Sequence, residues 1–321
     1  MLDRLVAASL TCVAALAQST APVQWATGAG ANGHWYQAVH VPTRLTWAEA
    51  ERFAQIAGGT LASINSVEEN LFVFSLIDAP QFWYAEGGVG SGGVGTTNVG
   101  PWLGGYQVEG AGEPGSGWQW ADCQCPFGFG AWLPGQPNNY TTLTFANEDR
   151  LHYCGTSSPT RTSMWNDIDG DQATAGYVVE WVAAPLLGQA NSAQATLLAN
   201  GIGATTTPGP YFQVIAQESA VTISWSGPPG APFMLALGNA APCTTTLGCY
   251  GCLDLVPLVI LLDGSTPLGQ LLFSLNGSGF SSQTFSLPPL PPGTELAFQG
   301  LVAQLDACGA LLTAAHVLIV R

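Results

Sequence analysis

Three separated stretches of this chain offer carboxylates and side-chain amides and no softer donor. They are Leu133-Pro134-Gly135-Gln136-Pro137-Asn138-Asn139, Asn147-Glu148-Asp149 and Trp165-Asn166-Asp167. A hard cation such as calcium takes about six to eight oxygens of this kind. Gln136, Asn138, Glu148, Asn166 and Asp167 can give five side-chain ligands, with water or a bound hydroxyl completing the shell. No continuous calcium loop accounts for them. Asp167-Ile168-Asp169-Gly170-Asp171 begins like one, but Val178 stands where an EF-hand needs its bidentate Glu. The ligands must therefore be gathered by a tertiary fold.

Further marks surround them in a fixed order: Trp102-Leu103-Gly104-Gly105, Trp118-Gln119-Trp120 and Tyr177-Val178-Val179-Glu180-Trp181. Together with the three oxygen-rich stretches they resemble the C-type lectin-like domain of secreted bacterial type, from near His34 to Trp181. The resemblance implies an α+β fold and a calcium (Ca2+) site built from Gln136, Asn138, Glu148, Asn166 and Asp167. The same residues would contact a glycan, and Pro137, Trp102, Gly104, Trp118 and Trp165 would be structural. Two departures matter. Ala54 and Val179 occupy the positions of one family disulfide, and Arg150 stands where the second begins, so both are expected to be absent. Gln136-Pro137-Asn138 is neither of the usual sugar-specifying triplets. Gln in place of Glu removes a carboxylate and turns a pure acceptor into a donor–acceptor, which leaves the sugar open.

The N-terminus has Arg4, the apolar run Leu5 to Leu16, and Ala15-Leu16-Ala17. That is the pattern of a signal peptide, 1–17, so the protein is expected to be secreted, extracellular or at the cell surface. No stretch is long enough for a membrane span. A flexible segment, 18–33, should lead into the lectin-like domain, 34–184. There Thr46-Trp47-Ala48-Glu49 and Ser66-Val67-Glu68-Glu69 read as capping boxes. The first opens a helix ending near Ala57; the second opens one with Val67, Leu71, Phe74 and Ile77 along its packed face. Glu86 to Gly100 reads as a Gly-rich surface loop. A small-residue linker, 185–207, precedes an all-β antiparallel sandwich, 208–321, with strands near Tyr211–Ala216, Ala220–Trp225, Phe233–Leu237, Leu255–Leu262, Gly269–Leu275, Thr284–Leu287, Glu295–Leu305 and Leu311–Val320. Calcium should stabilise the lectin-like domain alone.

Charge and cysteine usage narrow the partners. The chain has six Arg, no Lys and 21 acidic residues, a formal charge of −15. Such a surface repels phosphates and argues against nucleic acid. Of eight Cys, Cys12 leaves with the signal peptide, and an odd number leaves at least one thiol unpaired within the chain. Cys243, Cys249, Cys252 and Cys308 allow three pairings; Cys123, Cys125, His152 and Cys154 form an alternative zinc set. No nucleophile elbow, His-Glu-x-x-His or phosphate loop is present, and the four His are scattered, so no enzyme is expected. The function that follows is calcium-dependent glycan binding. The alternative is an adhesion or structural protein whose lectin-like domain binds protein, with calcium only bracing the loop or absent.

Overall fold

The computed structural model describes residues 19–87, 96–122, 127–141, 147–203, 207–304 and 308–321. The signal-peptide segment, Cys123 and Cys125 lie outside them. In the N-terminal half the order is β1 (Val23–Gln24), β2 (Trp35–Leu45), α1 (Trp47–Ile56), β3 (Thr60–Leu61), α2 (Val67–Ile77), β4 (Tyr84–Gly87), β5 (Thr96–Gln107), β6 (Trp118–Trp120), β7 (Arg150–Gly155), β8 (Met164–Ile168) and β9 (Thr174–Trp181). One sheet runs β1-β2-β9-β5-β7-β8, with β3 on β9 and both β4 and β6 on β5. No helix among the described residues is long and apolar enough to cross a membrane.

The first capping box forms in full: Glu49 N donates to Thr46 Oγ1, and Thr46 N donates to Glu49 Oε2 at 2.7 Å. The second forms by half. Glu69 N donates to Ser66 Oγ at 3.1 Å, but the Glu69 carboxylate is spent elsewhere, accepting from Asn65 N, Asn32 Nδ2 and Tyr36 Oη. That pull also sets which face of α2 is buried. Glu69, Asn70, Val73 and Ile77 are buried, whereas Val67 and Leu71 are more than half exposed, so the expected apolar face is rotated.

Of the segment expected to be flexible, 18–33, the described residues 19–33 are tied down. Val23 and Gln24 pair with Tyr36 and Trp35, and Trp25 is buried, stacked on Phe72 at 5.5 Å. The expected loop after Glu86 is instead a hairpin on both sides: Glu86 pairs with Thr97 and Tyr84 with Val99. Residues 88–95 lie outside the described residues. Ala54 and Val179 are fully buried without a disulfide, their methyls taking up the core volume.

The C-terminal half has β10 (Thr196–Ala199), β11 (Tyr211–Ile215), β12 (Ala220–Ser226), β13 (Phe233–Thr246), β14 (Cys252–Asp263), α3 (Pro267–Leu272), β15 (Phe280–Ser286), β16 (Glu295–Ala303) and β17 (Ala310–Val320). They form a three-stranded sheet, β10-β12-β15, and a five-stranded sheet, β11-β17-β16-β13-β14. Both sheets feed one core that includes Leu197, Ile223 and Trp225 from the first and Phe233, Phe298 and Leu318 from the second. Three expectations change here. Part of the supposed linker, Thr196–Ala199, is a strand paired with β12. β11 runs parallel to β17, so the half is not purely antiparallel. The expected strand Gly269–Leu275 is mostly the short helix α3, because Thr266 caps it by accepting from Gly269 N and Pro267 suits a first helical turn. Cys243–Cys252 and Cys249–Cys308 are disulfides.

The halves share a core. Val39, Phe53 and Trp181 pack in one cluster with Phe212, Val214, Leu255 and Val317, and the Phe53 and Phe212 rings are 4.5 Å apart. Two ion pairs cross beside it, Arg52 with Glu295 and Arg321 with Glu49, both from α1. Calcium stabilisation confined to one half is therefore not what this packing supports.

A second polar knot holds the N-terminal segment. The Glu180 carboxylate accepts from His34 Nδ1 at 2.6 Å and from Ser63 N at 2.8 Å. That hydrogen bond raises the His34 pKa against the opposing effect of burial. A His whose folded pKa is raised contributes stability in full below about pH 6.5, and the contribution fades as pH rises through the folded value. His34→Gln should therefore destabilise the protein near pH 6 by on the order of 1 kcal/mol and hardly at pH 9. Urea melts of both proteins across that range check it; an equal loss at both pH values would remove the ion pair from the account.

Candidate functional site

Strands β7 and β8 are neighbours, with His152 opposite Asn166 and Arg150 opposite Ile168. A strand turns alternate side chains to opposite faces. On β8 this sends Asn166 and Ile168 to one side and Asp167 to the other. On the first side lies a cavity of about 50 Å³ whose wall includes Gln136, Glu148 and Asn166. Three of the five expected ligands, from three separate segments, thus meet at one place. Asn138 and Asp167 do not line it.

Asp167 does something else. It is fully buried and accepts from Asn138 N at 2.9 Å and Asn139 N at 2.7 Å. Glu148 grips the next residue, accepting from Tyr140 N at 2.7 Å, while Glu148 N donates to Asn139 Oδ1 at 2.9 Å. Asn139 takes a left-handed φ of 43°, a conformation Asn tolerates better than most side chains. The loop 138–140 is therefore clamped between two carboxylates, Asp167 on β8 and Glu148 just before β7. The Gln136-Pro137 bond before it is cis.

The donor chemistry fits a hard cation. Gln136 Oε1 and Asn138 Oδ1 are buried with no hydrogen-bond partner. Asn166 Nδ2 donates to the Asp167 carbonyl and faces His152 Nε2 at 3.2 Å, so both amide hydrogens are committed and the oxygen is the end left over. Burial lowers the His152 pKa to about 4, so the ring is neutral around pH 7. Burial also pushes the Glu148 carboxyl up to about 8, opposed by the Tyr140 amide. Among the described residues no group of three or more His, Cys, Asp or Glu comes together, so any cation here relies on amide oxygens as well. Cys154 also lines the cavity, as a buried free thiol.

The expected structural residues sit in the frame behind it. Trp102 and Trp165 are fully buried and Trp118 nearly so; their indole N–H groups donate to Leu45 O, Asn70 Oδ1 and Pro114 O. A Cβ on Gly104 would meet Leu61 O at 2.6 Å, so only glycine allows β5 to run this close to β3. Sequence reasoning missed Glu86 and Gln172, which line the same cavity. The only signal was chemical type, since neither falls in a recognisable triplet. His316, also scattered in sequence, is packed between Tyr211 and Phe298 in the other half, with its pKa lowered to about 4 by burial.

No family model matches the chain, and no curated protein does. Solved structures do. The cow C-type carbohydrate-recognition domain of CD23, determined with a GlcNAc2Man3 oligosaccharide, is 20% identical, covers 47% of this chain and 89% of its own, and has a TM-score of 0.33. The mouse scavenger receptor C-type lectin carbohydrate-recognition domain gives 20%, 46%, 89% and 0.33. A calcium-independent type II antifreeze protein gives 21%, 52%, 96% and 0.33. Over about half of its length, then, the chain is similar to C-type lectin carbohydrate-recognition domains.

Proposed function

We propose that this is a secreted, calcium-dependent carbohydrate-binding protein whose C-terminal half is a β-sandwich serving as a structural or anchoring module. One observation carries the reading. Gln136, Glu148 and Asn166 converge on a single cavity from three segments, and the Gln136 amide oxygen there is buried without a partner. An unpaired buried acceptor costs about 1–3 kcal/mol, which a cation in the cavity would offset. Bound calcium would supply the charge on which vicinal sugar hydroxyls are held. Glu148 would accept from such a hydroxyl, and Gln136 can accept or donate, so these side chains would read hydroxyl stereochemistry.

A second reading rests on size. A cavity of about 50 Å³ holds an ion and a few waters but no hexose. A sugar would have to bind at its mouth, beside the clamped loop. If it does not, the cation braces that loop and the lectin-like surface binds protein. A glycan array with and without a chelator separates the two: calcium-dependent signal on defined glycans is expected, and calcium binding without any glycan signal would favour bracing.

Protons and calcium compete for Glu148. Since its carboxyl is neutral at pH 7 in the cavity, calcium should release close to one proton there, and apparent affinity should fall about tenfold per unit below pH 8. Calorimetry in buffers of different ionisation enthalpy measures that proton directly. No proton release at pH 7 would place the ion elsewhere.

A further inference from the structure

The lining of the cavity extends beyond what the three oxygen-rich stretches supply. Glu86, at the end of β4, and Thr97, on its hairpin partner β5, stand there, as does Gln172 from the turn before β9. Gln172 Oε1, like Gln136 Oε1, is buried with no partner. His152, only 1% exposed, also lines the cavity. Together with Gln136, Glu148 and Asn166, Glu86, Thr97 and Gln172 make six oxygen-bearing side chains around one small space. That is the lower end of what calcium takes. No Arg is among the lining residues; Arg44, whose charge acts on Glu86, lies over the Tyr84 ring at 3.7 Å.

We infer that Glu86 and Gln172 are cation ligands, Glu86 supplying the carboxylate that Gln136 lacks, so that the ion is held between the clamped loop and the β4–β5 hairpin. The inference rests on the calcium reading above and adds to it a shell closed by the hairpin. Two consequences follow from the chemistry. With Glu86 and Glu148 both present, the ion meets two carboxylates, the charge a divalent cation needs for neutrality. With six side chains already around it, little of the shell is left for an outside ligand, which limits a sugar to a position at the edge.

Calcium titration by calorimetry at pH 8 tests this on the full chain, comparing the natural protein with Glu86→Gln, Gln172→Glu and the exposed-site control Glu109→Gln. Glu86→Gln should weaken binding about tenfold or more, because one charge a few ångströms from a divalent ion is lost. Gln172→Glu should tighten it by several-fold, and the control should change nothing. Melting in chelator shows whether each variant is folded; should Glu86→Gln not fold, the sign of the Gln172→Glu change decides. If the natural protein binds calcium and neither cavity variant differs from it, the inference is overturned and the site reading stands. If the natural protein binds no calcium, both fall. If zinc binds in preference and His152→Ala abolishes that binding, the hard-oxygen shell is likewise overturned.

Discussion

Phe53→Ala should cost about 3–5 kcal/mol and split a single thermal transition into two. The size follows from truncating a fully buried ring in a packed core. The splitting follows from where that core lies. Phe53 is on α1, and the ring it packs against, Phe212, is on β11, so the ring fills the seam between the halves. Arg52 to Glu295 and Arg321 to Glu49 flank the seam, but these pairs are partly exposed and should contribute little by comparison. Scanning calorimetry of both proteins reads the result. Two separate transitions in the natural protein would show that the seam does not couple the halves.

Asp167→Ala should be nearly as damaging, at about 3 kcal/mol or more, whether or not calcium is present. Its carboxylate accepts from two loop amides, and alanine leaves Asn138 N and Asn139 N without an acceptor in a partly buried place. Asp167→Asn keeps one acceptor oxygen and should lose about a third as much. Denaturant unfolding in chelator isolates this from any ligand effect. If Asp167→Ala unfolds like the natural protein in chelator but loses calcium binding, Asp167 is a cation ligand and the clamp described here is incidental.

These two expectations mark where the sequence was informative and where it was not. Local signals carried α1 well, since the Thr46–Glu49 box needs only four residues and both its bonds form. The same pattern at Ser66 promised a box and gave half of one, because Tyr36 and Asn32, distant in sequence, take the Glu69 carboxylate. Spacing alone could not show that. The oxygen-rich triplets named Gln136, Glu148 and Asn166, which the fold does bring together. They could not say that the alternation of β8 turns Asp167 away from the cavity, or that a hairpin contributes Glu86. The charge-poor stretch 185–207 read as a linker because small residues carry little periodicity, yet Thr196–Ala199 pairs along its full length with β12. The seam through Phe53 and Phe212 joins residues far apart in the chain, and no pattern in either segment points to the other.

Cys154 gives this architecture a built-in clock. The thiol is 2% exposed on β7, and burial pushes its pKa up to about 12, so in the closed protein it is neither reachable nor ionised. It is the thiolate that attacks an alkylating reagent. Capture of this sulfur should therefore report only those moments when the sheet under the cavity comes apart, and its rate counts such openings without any engineered label. A cation lodged against the same strand would slow the count, and the ratio of rates with and without it would give the holding power of the site from a single cysteine.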